Sequence, residues 1–411
     1  MSISNKLKTI LSLQSIAVNV KSIYKNVQKV FDAGKNEDQW IAYCLKTGEH
    51  FDLPEGMTEI PVYMFNGHSN LETVQIPITV KKINDNAFEG TTNLKVGQLP
   101  EGVIDKALVG LEEIGVSAFA YSGSDVVIFP SGIVSVGAGA FTGNSNLKEV
   151  YFVKTNENSG IPSGGLPSDT FAECENLEAI YVPWSDGAVP GAPWGAPATA
   201  TITYNYWDNI PDVFHFPQGF VKVPDHLFYT TTATTAKEIY LWDECKEIGE
   251  CSFYKAKNLT TVHLPDGLKK IAAYAFRYCS ALKLSELPDS VEEIGKYAFH
   301  GSSVSLSKLP KNIKKIATNA FQNCPNNTFA EIPESITLIA SGAFLNNTGL
   351  TKLYFVDTPT VKKVTNGIAN NAFEGCTNLV EIAVPWSEGQ VSGAPWGAEN
   401  ATIIYDWRSD Q

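Results

Sequence analysis

The sequence predicts an α/β solenoid, built from two tandem arrays of short strands that follow an N-terminal helix. One phrase recurs along most of the 411 residues: leucine or isoleucine with proline, a short turn, an isoleucine, and then alanine with phenylalanine. The phenylalanines of this phrase are regularly spaced, and a tryptophan-containing phrase of the first half returns in the second half. Self-similarity at a fixed period is the sequence signature of a repeat architecture.

The regularly spaced phenylalanines, here called the anchors, give the period. Between Phe228 and Phe344 the steps are 25, 23, 23, 22 and 23 residues, which is the range of a leucine-rich repeat. A unit of this size cannot enclose a core by itself, so it must stack on its neighbours. Each coil is predicted to hold a strand ending at the Leu-Pro pair, a tight turn, a second extended segment and an Ala-Phe corner. The anchors are Phe65, Phe88, Phe119, Phe141, Phe171, Phe228, Phe253, Phe276, Phe299, Phe321, Phe344 and Phe373.

One coil shows the full pattern. It reads Leu-Thr-Thr-Val-His-Leu-Pro from Leu259 to Pro265, followed by Ile271, the pair Ala275-Phe276, and Cys279. This pattern resembles the BspA-like leucine-rich repeats of bacteria, phages and some parasitic protists, over roughly residues 51–182 and 216–384. The resemblance implies an adhesion or binding protein rather than an enzyme.

Composition and missing motifs point the same way. The net charge of −13 argues against nucleic acid as the main partner. The sequence contains no run of 18 apolar residues, so no transmembrane helix is expected. The sequence has no P-loop, no dinucleotide-binding glycine motif, no H-E-x-x-H and no G-x-S-x-G. We therefore expect no catalytic residues, no cofactor and no metal.

The cysteines are predicted to be structural. Four of them follow an anchor by three positions, a place that holds small or polar residues in other coils. A buried thiol there behaves as a small apolar group, and an odd total of seven fits no closed disulfide framework. The four are Cys174, Cys279, Cys324 and Cys376.

Residues 1–34 differ from the repeats. Five lysines precede the first acid, Asp32, and apolar residues from Leu13 to Val30 alternate at steps of 3 and 4. This heptad spacing predicts a helix that either forms a homotrimer or caps the open end of the solenoid. The segment lacks the continuous apolar stretch of a secretory signal, and it loosely resembles the N-terminal leaders of phage and prophage structural proteins. Association with a virion or a non-Sec export route is therefore favoured over Sec secretion.

The chain is predicted to divide into the N-terminal helix (1–34), a cap with the first array (35–210), and the second array (211–411). Each array ends in a phrase with two tryptophans, Trp184 and Trp194 in the first and Trp386 and Trp396 in the second. Such a phrase covers the apolar end of the last coil. The alternative is that these indoles are stacking platforms for sugars.

A partner is predicted to bind along the strand that precedes each Leu-Pro pair. The central residue of this strand should point outward, because side chains alternate along a strand. Tyrosine is enriched there and offers rigid, amphipathic contact area, although aromatic residues also favour strands for packing alone. The candidate ligand-binding residues are Tyr151, Tyr181, Tyr240, His263 and Tyr354.

Two functions follow from these patterns. The first is a non-enzymatic adhesion protein that recognises a protein or glycan on a cell surface through its repeat face, in a phage or prophage setting. The second is a structural spacer or assembly component on a virion or a cell surface.

Overall fold

A computed structural model describes residues 50–53, 56–99, 101–104, 107–154, 162, 165–229, 235–356, 367–388 and 393–407. Across these residues the chain winds as a leucine-rich repeat solenoid of parallel strands. The coil at residues 261–278 has the predicted order: a strand Thr261–His263, a turn, a two-residue strand Lys270–Ile271, and a turn around the anchor Phe276. The predicted plan of the coil is confirmed.

Residue contacts divide the chain into two compact units. The first unit ends at Asn205 and the second begins at Tyr206, and Lys154 is grouped with the second. The predicted limits 35–210 and 211–411 remain predictions. The predicted N-terminal helix, its homotrimer and the start of the cap lie outside the described residues.

Each coil of the solenoid presents three faces. The strand face holds the strands that precede the Leu-Pro pairs, the isoleucine face holds the two-residue strands, and the corner holds the anchor. In the first unit the isoleucine-face sheet contains Glu59–Ile60, Lys82–Ile83, Glu113–Ile114 and Ser135–Val136. The strand-face sheets contain His50–Asp52 with Thr73–Gln75, and Gly97–Gln98, Val126–Phe129, Glu149–Phe152, Ala179–Tyr181 and Thr201–Thr203. An antiparallel hairpin, Glu101–Ile104 with Ala107–Gly110, lies between coils.

The second unit repeats this plan. It opens with a 3-10 turn, Tyr206–Asp208. Its isoleucine-face sheet contains Lys222–Val223, Glu247–Ile248, Lys270–Ile271, Glu293–Ile294, Lys315–Ile316 and Leu338–Ile339. Its strand face is divided into two sheets, Val213–His215, Glu238–Tyr240 and Thr261–His263, and then Glu331–Ile332, Lys352–Phe355, Glu381–Ala383 and Thr402–Ile404.

The α/β part of the predicted fold class is not supported. The described residues contain no α-helix, and the corner is a chain of turns. Residues two before and two after an anchor take positive φ in most coils, as at Asn319 (φ 55°) and Asn323 (φ 57°) around Phe321. Left-handed residues so close together prevent a right-handed helix from propagating. The architecture is therefore a β-solenoid.

The anchors form the centre of the core in both units. Each anchor is fully buried, and neighbouring rings stack, with centroids 5.0 Å apart from Phe88 to Phe119 and 5.3 Å apart from Phe276 to Phe299. The backbone keeps the same register between coils. Every anchor amide donates a hydrogen bond to a backbone carbonyl at the next corner, as Phe276 does to the Ala298 carbonyl at 2.7 Å. The coils are therefore held together at the corner as well as in the two sheets.

The tryptophans complete this pattern at the end of each array. The anchor Phe171 donates its amide to the Trp194 carbonyl, and Phe373 donates to the Trp396 carbonyl, each at 2.9 Å. Trp194 and Trp396 thus occupy the place that an alanine, threonine or serine takes in the preceding coils, and both are fully buried. This geometry favours the cap over a sugar platform, because a stacking platform needs an open ring face.

Candidate binding surfaces

The candidate residues of the first unit lie side by side on the strand face. Tyr151 and Tyr181 are paired in register, and their rings stack with centroids 4.5 Å apart. The Tyr151 hydroxyl donates a hydrogen bond to Glu149 at 3.1 Å, and burial is the main cause that raises the Tyr181 pKa. Tyr151 is only 3% exposed, so Tyr181 supplies most of the surface that this pair offers.

The candidate residues of the second unit form a stack of three rings, here called the strand-face stack. Tyr240 lies between His215, with ring centroids 4.3 Å apart, and His263, at 3.8 Å. The three residues sit opposite one another on adjacent parallel strands. Flat rings at matching register pack face to face, which holds the stack rigid.

Glu238 fixes the two candidate side chains of the strand-face stack. It accepts the Tyr240 hydroxyl at 2.8 Å and lies 2.7 Å from His263 Nε2. The hydrogen bonds of His263 and then Tyr240 lower the Glu238 pKa, and the same carboxylate raises the pKa of Tyr240. The His263 side chain is 44% exposed, so the stack presents a histidine edge and a carboxylate to a partner.

The last candidate residue stands apart from the stack. Tyr354 belongs to the other strand-face sheet of the second unit, where its ring lies 5.2 Å from Trp407 and its hydroxyl donates to Glu331 at 3.0 Å. Burial, followed by the hydrogen bond to Glu331, raises its pKa. The structure thus brings Tyr240 together with His263, and Tyr151 with Tyr181, but it does not join the five residues into one site.

A second aromatic cluster lies at the corner and was missed by the sequence interpretation. Arg277 sits among four tyrosine rings of three successive coils, and all five side chains are partly exposed. Four tyrosines near the anchors Phe253, Phe276 and Phe299 are visible in the sequence, but their meeting around Arg277 depends on how the coils stack. We call this cluster the tyrosine–arginine patch: Tyr254, Tyr274, Arg277, Tyr278 and Tyr297.

Neither a metal site nor a membrane span is found in the part of the chain that the structure describes. No group of three or more histidine, cysteine or acidic residues there could hold a metal ion. The described ranges also include no helix with the length and apolar character needed to cross a bilayer.

The profile of the BspA type leucine rich repeat region matches the chain at residues 37–107, 58–186, 204–328 and 246–380, and so covers more than half of it. The chain belongs to the BspA-type leucine-rich repeat family. The resemblance seen in the sequence is therefore confirmed. No curated protein matches the chain.

Solved structures of several bacterial repeat proteins are also similar to it. A leucine-rich repeat protein from Bacteroides ovatus is 20% identical, covering 88% of this chain and 84% of its own, with a TM-score of 0.29. The pneumococcal vaccine antigen PcpA is 18% identical over 88% of this chain and 90% of its own, with a TM-score of 0.36. A leucine-rich repeat protein from T. pallidum is 22% identical over 50% of this chain and 71% of its own, with a TM-score of 0.27.

Proposed function

We propose that this BspA-type repeat protein is a non-enzymatic binding protein, and that its strand-face stack contacts a protein surface. The observation that carries the proposal is the rigid array of His215, Tyr240 and His263, held at ring separations of 4.3 and 3.8 Å. Rigid aromatic side chains give contact area at a low cost in conformational entropy. Because Glu238 already holds the Tyr240 and His263 side chains in place, these side chains lose little conformational entropy on binding.

A protein partner is favoured over a glycan because the central ring of the stack offers no open face. Tyr240 has a ring on each side, so neither of its faces is open for a sugar to lie on. The exposed groups are the His263 edge and the Glu238 carboxylate, which suit hydrogen bonds and charged contacts at an interface. A glycan is the alternative partner that the test must separate.

The test is a binding screen with the full chain. Immobilised extracellular proteins and a glycan array are probed with the wild type and with Tyr240→Ala and His263→Ala. We expect a protein ligand whose affinity falls about tenfold or more in each variant, the loss typical of a central interface residue. Val380→Ala is the matched control, since Val380 is 51% exposed and lies outside the stack.

Two outcomes would contradict the proposal. A ligand that binds both stack variants as tightly as the wild type would remove the strand-face stack from the interface. Recognition of glycans alone, lost in the same variants, would assign the surface to carbohydrate.

A further inference from the structure

The tyrosine–arginine patch has an unusual geometry around one cation. The guanidinium carbon of Arg277 lies 4.6 Å from the ring centroid of Tyr278, 5.1 Å from Tyr297, 5.5 Å from Tyr274 and 5.9 Å from Tyr254. One of its amino groups donates to the Tyr278 hydroxyl at 3.1 Å. A guanidinium surrounded by aromatic faces is attracted to them by the ring quadrupoles, so its position is fixed.

Three of the tyrosines stand where the backbone favours other residues. Tyr274, Tyr278 and Tyr297 have φ of 59°, 62° and 55°, the left-handed region that costs an ordinary residue roughly 1–2 kcal/mol. In other coils many of the equivalent positions hold asparagine or glycine, which adopt this conformation more readily, but others hold larger residues such as Tyr63, Tyr121 and Lys255. Positive φ is therefore a property of the corner in general, and the patch is distinguished by the four tyrosine rings grouped around Arg277.

The positive charge of the patch has no acidic partner among the described residues. Among the described residues no salt bridge involves Arg277, and its buried Nε has no hydrogen-bond partner there. Lys255 and Lys296 flank the patch, with the Lys255 Nζ 5.1 Å from the Tyr254 ring centroid and the Lys296 Nζ 5.5 Å from that of Tyr297. Neither lysine forms a salt bridge with a described residue.

The isoleucine face provides the contrast. Its lysines meet glutamates of the neighbouring coil, as Lys269 meets Glu292 at 3.0 Å. In the coils before the patch, Asp225 is likewise held by Lys222 at 3.0 Å. The nearby His300 does not add a cation at neutral pH, because burial and then the Arg277 charge lower its pKa. The patch is therefore a local cationic site on a chain whose net charge is −13.

We propose that the tyrosine–arginine patch binds an acidic segment of a partner protein, with an aspartate or glutamate carboxylate on the Arg277 guanidinium and apolar side chains against the tyrosines. Arginine pairs with a carboxylate through two parallel hydrogen bonds, and tyrosine with arginine is the composition of a protein-interface hot spot. Lys255 and Lys296 extend the positive surface to further acidic residues. This site lies on the corner, so binding there can be tested independently of binding at the strand-face stack.

The experiment selects peptides from a random display library on the full-length protein. Enrichment of aspartate and glutamate is expected among the selected peptides. Their affinity should fall about tenfold or more in Arg277→Gln, because the charged hydrogen bonds are lost, and it should weaken as salt is added. Lys269→Gln is the matched control, since it removes a cation that already pairs with Glu292, and it should bind as the wild type does.

Two further variants separate binding from folding. Tyr297→Asn introduces the residue that the equivalent position holds at Asn86 and Asn319, so it should keep the urea midpoint of the wild type while losing affinity. Lys296→Glu reverses an exposed charge and should lower affinity even if Arg277→Gln does not fold.

The proposal is overturned if the selected peptides are not acidic, or if Arg277→Gln and Lys296→Glu bind them as the wild type does. It is also overturned if heparin, used as an anionic saccharide probe, binds through Arg277 while no peptide does.

Discussion

The residue three positions after an anchor decides how a buried backbone carbonyl of the corner is satisfied. Cys279 Sγ donates to the Phe253 carbonyl at 3.0 Å, and Ser302 Oγ donates to the Phe299 carbonyl at 2.7 Å. Asn144 donates to two such carbonyls, those of Phe119 and Phe141. A small donor is needed here because a buried carbonyl without a partner costs free energy. This explains why cysteine, serine, threonine and asparagine alternate at the position.

The same burial predicts inert thiols. The six described cysteines are free and buried, and burial raises the pKa of Cys279 and Cys376 to about 12 and that of Cys174 and Cys324 to about 11. At about pH 8 these thiols should resist iodoacetamide, because the thiolate is the reactive form, and all should react once urea unfolds the chain. Mass spectrometry of the alkylated protein measures this.

The raised thiol pKa values also determine how the free energy of unfolding changes at alkaline pH. The unfolded thiols ionise near 9 while the folded ones stay protonated towards about 12, so the free energy of unfolding should fall as the pH rises through this window. Rapid alkylation of Cys279 in the native protein would contradict the assignment of this position to the core.

For single residues, the sequence predicted the buried environment of Cys279 but not that of Tyr151. The three-residue offset from each anchor placed Cys279 inside. Alternation along a strand placed Tyr151 outside, yet it is only 3% exposed. The Tyr181 ring of the neighbouring strand stacks on it at 4.5 Å, and alternation within one strand does not reveal such a contact. The patch around Arg277 depends on distances between coils, which a single repeat does not reveal.

The ladder of anchors is the main stabilising element of each unit. Phe299 is fully buried and stacks on both neighbours, with centroids 5.3 Å from Phe276 and 5.2 Å from Phe321. Aromatic pairs in this geometry add to the free energy gained by burial alone. Because each coil contacts only its neighbours, a defect in one coil weakens two interfaces.

Phe299→Ala should therefore destabilise the protein by about 3–5 kcal/mol, the range for a large buried aromatic side chain. Urea unfolding followed by circular dichroism measures the change. Val134→Ala is the control, since Val134 is 44% exposed, and we expect a change within about 0.5 kcal/mol. A loss of less than about 1 kcal/mol in Phe299→Ala would show that the ladder contributes little.

The ladder was predictable from sequence because the anchors keep a fixed spacing, while the corner was not. An α/β fold was expected, but the positive φ at residues such as Tyr274 and Asn319 makes the corner a sequence of turns. Tyrosine gives no sequence signal for a left-handed conformation. The predicted solenoid is therefore confirmed, whereas the α/β part of the fold class finds no support in the described residues, and the predicted N-terminal helix lies outside them.

Over the whole chain, each unit carries its own ladder, and each ladder ends at a buried tryptophan. The ladder of the first unit ends where Phe171 meets Trp194, and that of the second ends where Phe373 meets Trp396. The duplicated tryptophan phrase is the sequence feature behind the predicted division at residue 210, and that division stays a prediction. The strand-face stack and the tyrosine–arginine patch both belong to the second unit.

Amide hydrogen exchange of the full chain tests whether the stacked coils hold these surfaces in place. Every anchor amide donates to the following coil or to a cap tryptophan at 2.7 to 3.0 Å. We predict slow exchange at the anchors, recurring at the repeat period in both units, with faster exchange at the exposed turns between them. Anchor amides that exchange as fast as the exposed turns would contradict the stacked solenoid and the surfaces built on it.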